Sequence, residues 1–236
     1  FDRDIRSIGQ EFRYASAQER RFRWLAGVFY YDEKVDEFGK SILGTTLAPA
    51  QVPGVPQEND VTTKAVFGSV AFDVTDTLTF GAELRWNEDE GRTDFIFANL
   101  PRTLENTWEA WLPRFTVDWK VTPDVMLYAN AAKGTKPGGF NTALGAGLVT
   151  LPADLLPFDE EEAWSYEIGT KSQWFDGRLT VNVAAFRIDW TNVQVDSQYV
   201  PPPPAVGTVG YTSNAGRAEV EGAAVEGSWQ ATDRLE

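Results

Sequence analysis

Histidine and cysteine are both missing from the 236 residues, and methionine occurs once. The first two absences remove Ser-His-Asp triads, thiol nucleophiles, tetrahedral zinc sites and HExxH metalloproteases from consideration. Without cysteine there is no disulfide framework, which suits a reducing cytosol and a periplasm alike. A run of eighteen apolar residues is also lacking, and the opening FDRDIRS has no signal-peptide hydrophobic region, so no helical membrane span is expected. That test is blind to membrane β-barrels, whose strands are only half apolar. Basic surface is scarce too. Asp and Glu number 35 against 21 Lys and Arg, a net charge of -14, which speaks against a nucleic-acid partner.

What the chain has instead is period-two alternation. From Leu78 to Trp86 the even positions Leu78, Phe80, Ala82, Leu84 and Trp86 are apolar, and the odd ones are Thr79, Gly81, Glu83 and Arg85. Successive side chains of a strand point to opposite faces, so such a segment has one apolar and one wet side. Trp111, Phe115, Val117 and Trp119 repeat the pattern, as do Trp164, Tyr166 and Ile168. From Leu179 onward apolar residues sit first at odd positions and then, from Phe186, at even ones, which predicts a β-bulge near Ala184 and Ala185.

Turn signals divide the chain into about nine predicted strands, near 5–15, 20–36, 62–74, 77–92, 107–120, 124–135, 162–174, 178–196 and 213–231. Short connections near 17–19, 75–76, 121–123, 175–177 and 232–233 alternate with long ones at 37–61, 93–106, 136–161 and 197–212. Strict sorting of this kind is expected of an outer-membrane barrel, with short periplasmic turns and long outer loops. The tryptophans agree. A strand tilted by about 45° climbs roughly 2.3 Å per residue, so crossing a ~25 Å apolar band takes about eleven residues. Trp164 and Trp174 share a face ten positions apart, and Trp111 and Trp119 eight apart, which puts an indole near each interface. Core tryptophans of a sandwich would show the same spacing. The Pro201 to Pro204 run is expected to be extended polyproline II within an outer loop.

Three stretches invite a chemical reading. YANAAKGTKPGGFN, from Tyr128 to Asn141, resembles a phosphate-cradling loop only superficially, because Lys136 follows Thr135 and precedes Pro137 where a Walker loop needs Gly-Lys-Ser/Thr. Asp159 to Glu162 supplies four carboxylates, but neighbours at a loop-to-strand junction diverge and do not flank one substrate. Asn87-Glu88-Asp89-Glu90-Gly91 offers oxygen ligands for calcium without the EF-hand spacing. No catalytic group, cofactor or metal site is therefore assigned.

Four stretches carry a family resemblance in order: VFGSVAFDVTDTLTFGAELRW (66–86), LPRFTVDWKVTPDVMLYANAAKGTKPGGFN (112–141), FDEEEAWSYEIGTKSQWFDGRLTVNVAAFRIDWTNVQV (158–195) and SNAGRAEVEGAAVEGSWQATDRLE (213–236). Together they cover about half of the chain, and they resemble the carboxy-terminal barrel of TonB-dependent outer-membrane receptors. The resemblance implies an all-β, antiparallel, up-and-down transmembrane barrel of about 22 strands with a plugged lumen. Residues 1–236 are then expected to be part of that barrel domain, with the plug, the TonB-contacting segment and the remaining strands absent.

It further implies a Gram-negative outer-membrane location, lipid and lipopolysaccharide around the wall, a monomer, and active uptake of a scarce, bulky nutrient powered through the TonB complex. A ferric siderophore is the first expectation for that nutrient. Contacts with it are expected from Arg85 and Trp86, read as the top of one strand, and from Lys133, Lys136, Phe140 and Asn141. Two other readings stay open at this point: a passive porin or adhesin barrel, and a soluble carbohydrate-binding β-sandwich.

Overall fold

The computed structural model describes residues 2–38, 41–43, 50–52, 56–97, 100–142, 151–204 and 207–231. Its strands are β1 (Asp2–Ala15), β2 (Phe22–Phe38), β3 (Ser41–Leu43), β4 (Ala50–Val52), β5 (Pro56–Asp73), β6 (Leu78–Phe97), β7 (Leu100–Thr122), β8 (Val125–Lys136), β9 (Gly139–Phe140), β10 (Pro157–Phe158), β11 (Glu161–Trp174), β12 (Leu179–Tyr199) and β13 (Val209–Trp229). Nine of them form one sheet in the order β1-β2-β5-β6-β7-β8-β11-β12-β13, each antiparallel to its neighbour. β3 with β4 and β9 with β10 make two small ribbons in the long connections. A single turn of 3-10 helix, Ala153–Leu155, is the one helical element among the described residues.

The sheet is one layer thick, and its apolar face is uncovered. Trp111, Phe115, Trp119 and Ile168 are 59%, 53%, 48% and 63% exposed, while few of the described side chains are buried. A β-sandwich would bury that face against a second sheet, so the sandwich reading is overturned. The opposite face carries Asp73, Thr79, Glu83, Arg85, Arg114, Asp118, Asn130, Glu167 and Lys171, which the registers align row by row. One apolar and one polar face on a single antiparallel wall is the barrel arrangement, lipid outside and lumen inside.

Side-chain oxygens close the short turns. Thr75 Oγ1 accepts from the amides of Thr77 and Leu78 at 3.2 and 3.0 Å, and Ser16 Oγ accepts from that of Trp24 at 2.9 Å. Phe175, Asp176 and Gly177 all take positive φ to reverse the chain between β11 and β12. The turn expected at 232–233 lies outside the described residues.

Three expectations change. β12 has no bulge at Ala184 or Ala185, because its registers with β11 and β13 run through both residues unbroken. Phe186, Ile188 and Trp190 face the lumen instead, and the ring of Phe186 fills the space beside Gly222. Arg187 and Asp189 then fall on the outer face, where Arg187 meets Glu219 and Glu221 at 2.9 and 3.0 Å. The connection read as a loop at 93–106 is mostly strand, since β6 and β7 continue pairing to Phe97 and Leu100. Thr93 and Phe95 are buried there, which explains why the ladder persists. The proline run turns at Pro203 and Pro204 rather than staying extended.

Pairing between β7 and β8 stops at Arg114 and Ala132. The next residue of β7 is Pro113, which has no amide proton to give to a ladder. β8 nevertheless runs on to Lys136 along β11, so the wall forks above this point. Gly134 does not break the strand; the break comes at Pro137.

Candidate functional site

Register alone assembles a row of lumen-facing residues across five strands: Arg13, Gly27, Phe67, Arg85 and Leu112. Gly27 leaves room for the ring of Phe67, which occupies the space a β-carbon would need. The guanidinium of Arg13 lies 5.8 Å from the Phe67 centroid and that of Arg85 lies 5.7 Å from it, so one ring holds two cations. Arg85 also stands 5.2 Å from the Phe29 centroid. Aromatic faces attract cations through the ring quadrupole, and here they hold two guanidinium groups at the lumen wall.

A polar ladder rises from Arg85. Its Nη2 donates to Asn87 Oδ1 at 3.0 Å, Asn87 donates to Asp89, and Thr63 Oγ1 donates to Asp89 Oδ1 at 2.6 Å. Higher on the same face Thr93 donates to Asn59 Oδ1 at 2.9 Å, as does Gln57 at 3.0 Å.

The segment between β8 and β11 folds over this face. Phe140 packs on Trp108 with centroids 5.9 Å apart, and the indole of Trp108 lies against the bare Cα of Gly138. Close approach, not an unusual backbone angle, is what requires glycine at that position. Asn141 is buried and donates to the carbonyls of Leu155 and Thr212 at 2.9 and 2.7 Å, while accepting from the Thr212 amide at 2.7 Å. Thr142 donates to Gln57 of β5 at 2.6 Å, so consecutive residues tie the segment to β13 and to β5. Its returning half buries Leu151 against Val209, beside Tyr199 and Tyr211.

At the neck, Gln194 Nε2 donates to the carbonyls of Pro137 and Asp159 at 2.9 and 3.1 Å and so clips both ends together. Glu160 is half-buried there, and burial, then Glu162, lifts its carboxyl above the usual carboxylate range while Lys133 opposes the shift.

The six residues expected to meet a ligand are not one cluster. Arg85 faces the lumen, but its neighbour Trp86 faces outward opposite Trp111, and neither tops its strand because β6 continues to Phe97. Lys133 faces outward and pairs with Glu162 at 2.6 Å. Lys136 is exposed at the end of β8, Phe140 lies on the lumen side against Trp108, and Asn141 spends its amide on the segment's own fastening. Arg13, Phe29, Phe67 and Trp108 were missed. The signal for Phe67 and Trp108 was a glycine inside a strand, Gly27 and Gly91, in whose missing side-chain space each ring sits.

The acidic run from Asp159 to Glu162 diverges. The Asp159 amide meets Asn214, Glu161 accepts from the Gln194 amide, and Glu162 takes Lys133. Asn87 and Asp89 face the lumen while Glu88 and Glu90 face outward to Lys64, so no calcium cage forms from that stretch.

A family model described as TonB dependent receptor-like, beta-barrel matches residues 2–235. Among curated proteins, the metal-pseudopaline receptor CntO of Pseudomonas aeruginosa is 34% identical over 152 residues, covering 64% of this chain and 19% of the relative. The pesticin receptor of Yersinia enterocolitica is 27% identical over 174 residues, 71% of this chain and 24% of the relative. The chain thus spans about a fifth to a quarter of the length of these relatives. The crystal structure of the ferric yersiniabactin uptake receptor FyuA from Yersinia pestis superposes with a TM-score of 0.75 at 20% identity, over 98% of this chain and 33% of that one.

Proposed function

This chain belongs to the TonB-dependent receptor-like β-barrel family of the Gram-negative outer membrane, and on that premise we propose that it is part of the wall of a receptor for a scarce metal chelate, a ferric siderophore first. Its relatives are transport receptors rather than enzymes. In this reading TonB supplies the energy through a plug domain, the receptor works as a monomer, and lipid and lipopolysaccharide surround the outer face. The observation that carries it is the Arg13–Phe67–Arg85 row, which aims two cations and an aromatic surface into the lumen below its outer mouth. An anionic chelate with aromatic or carboxylate groups is matched by charge-assisted hydrogen bonds from a guanidinium fork and by contact with the rings. Phe140 and Lys136 are proposed as secondary contacts from above. The names of the relatives, which cite pseudopaline and ferric yersiniabactin, support a metallophore over a sugar.

The test is uptake of radiolabelled ferric chelates by cells carrying the full receptor, with and without TonB, together with binding to the purified receptor. Arg85→Ala is expected to weaken binding by a factor of about 10 to 100, the loss of one or two charged hydrogen bonds. TonB-independent uptake would instead favour a passive pore, and unchanged affinity in both Arg85→Ala and Arg13→Ala would remove this row from the site. Transcription induced by iron limitation separates a siderophore from a carbon source.

A further inference from the structure

The fork in the wall leaves one strand edge open. Above Arg114, β7 pairs with β6 on one side and, among the described residues, with nothing on the other. Backbone amides and carbonyls of alternate residues between Arg102 and Leu112 therefore point into the gap between β7 and the top of β8. The outward side chains agree, since Thr103, Glu105, Thr107 and Glu109 are all exposed, while on the lumen side Arg102 and Asn106 are exposed, Leu104 and Trp108 half-buried and Ala110 buried.

Long, flat edges recruit further strands, and natural proteins blunt them with proline, lysine or a bulge. Between Arg102 and Leu112 there is no proline and no lysine, and the register with β6 is unbroken. Proline stands only at the two limits, Pro101 at the tip and Pro113 at the foot. The edge also lies above the outer apolar band, whose upper limit here is Trp111 beside Trp86, so it faces water and not lipid.

Its outward flank is charged with one sign, the one cation of the stretch, Arg102, being on the lumen side at its tip. Glu105 and Glu109 face outward, and among the described residues Glu105 pairs with Arg92 at 4.0 Å, which is already paired with Asp94 at 2.9 Å. The lumen side shows Leu104, Asn106 and Trp108. Cross-strand pairing favours cations opposite the two glutamates and apolar side chains opposite Leu104 and Trp108. We propose that the gap-facing edge of β7, from Arg102 to Leu112, is a strand-addition site for an extended, basic segment of a protein partner outside the cell. Main-chain hydrogen bonds supply the affinity, and the alternation of charge and apolar surface sets the partner's register.

The experiment uses the full receptor in lipid nanodiscs and a synthetic peptide of alternating lysine and valine. Hydrogen exchange without peptide is expected to show fast and slow amides alternating along 102–112, and peptide is expected to slow the fast ones. Protection of the whole edge before peptide is added means that another segment of the receptor covers it, and overturns the proposal. Concentration-dependent dimers with the edge protected assign it to a second copy and overturn it equally. N-methylating one alternate set of peptide amides is expected to abolish binding while the other set is tolerated. Equal binding of both forms reduces the contact to charge attraction and sinks strand addition. The double variant Glu105→Lys, Glu109→Lys is expected to bind the peptide about tenfold more weakly, with metal-chelate uptake unchanged. Failure here leaves the uptake reading standing, because neither glutamate faces the lumen.

Discussion

Phe67 and Gly27 are cross-strand partners in which the ring of one fills the space of the missing side chain of the other. That exchange seats the ring against β2, where the guanidinium groups of Arg13 and Arg85 lie over it at 5.8 and 5.7 Å from its centroid. Gly27→Ala is expected to push the ring off β2 and to cost about 1 to 3 kcal/mol, the usual penalty of overpacking. Both cations then lose their platform. The measurement is the urea midpoint for folding the full receptor into vesicles, read beside chelate affinity. Wild-type values for both would show that the pair is incidental.

The wall's two faces make a second prediction. Leu84 faces lipid and is 46% exposed in this one-layer wall, while Glu83 beside it faces the lumen 3.8 Å from Arg114. Leu84→Arg is expected to cost about 1 to 3 kcal/mol, because a guanidinium inside the apolar band, one step below its limit at Trp86, loses part of its water. Ser69→Lys, on the lumen side directly opposite Glu83, is expected to stay within about 1 kcal/mol of wild type. Folding midpoints of the two variants decide the matter: a larger cost for Ser69→Lys would mean that the faces are assigned the wrong way round, and equal costs that neither face meets lipid.

Those faces were legible in the sequence because alternation needs only one strand at a time. Leu78 to Trp86 names its own wet and dry sides, and threonine or glycine marks the turns. The site was not legible, because Arg13, Phe67 and Arg85 become neighbours only through three registers, and each register depends on turn geometry that a single strand does not encode. The false bulge has a related cause. Phe186 and Ile188 are apolar yet face the lumen, with Phe186 seated over Gly222, so hydrophobicity changed sides while the backbone did not. Asn141 was read as a ligand contact from its place in a glycine-rich stretch, whereas its partners, Leu155 and Thr212, lie 14 and 71 residues away.

Asn141 therefore carries a third prediction. Its amide satisfies two carbonyls and one backbone N–H in a buried position, so Asn141→Ala strands three polar groups at roughly 1 to 3 kcal/mol each if water does not replace it. The segment from Pro137 to Asp159 is expected to loosen, with faster exchange at Thr212 and quicker protease nicking in intact cells. Asn141→Asp is expected to be no better, since a carboxylate oxygen then faces two carbonyl oxygens. A drop in chelate affinity with unchanged protection at Thr212 would make Asn141 a direct contact instead.

The last prediction concerns pH at the neck of that segment. Glu160 is half-buried, faces Glu162, Asp159 and Asp89, and has Lys133 as its one opposing cation among the groups that shift it. A carboxyl raised by burial binds its proton more tightly folded than unfolded, for which the ordinary value is about 4.3. Its contribution to holding the neck closed is thus complete below that value and is lost as pH rises through the higher folded pKa. Asp94, on the extended β6–β7 hairpin, has the opposite sign, because Arg92 and then Thr103 hold it below its usual range. Hydrogen exchange at residues 137–142 and 157–161, corrected for the intrinsic rate, is expected to quicken in the wild type as pH rises above about 4.3. Glu160→Gln keeps the shape without the titration, so its exchange, corrected for the intrinsic rate, is expected to stay flat across that window. A wild-type profile equally flat would show that the neck does not sense the charge of Glu160.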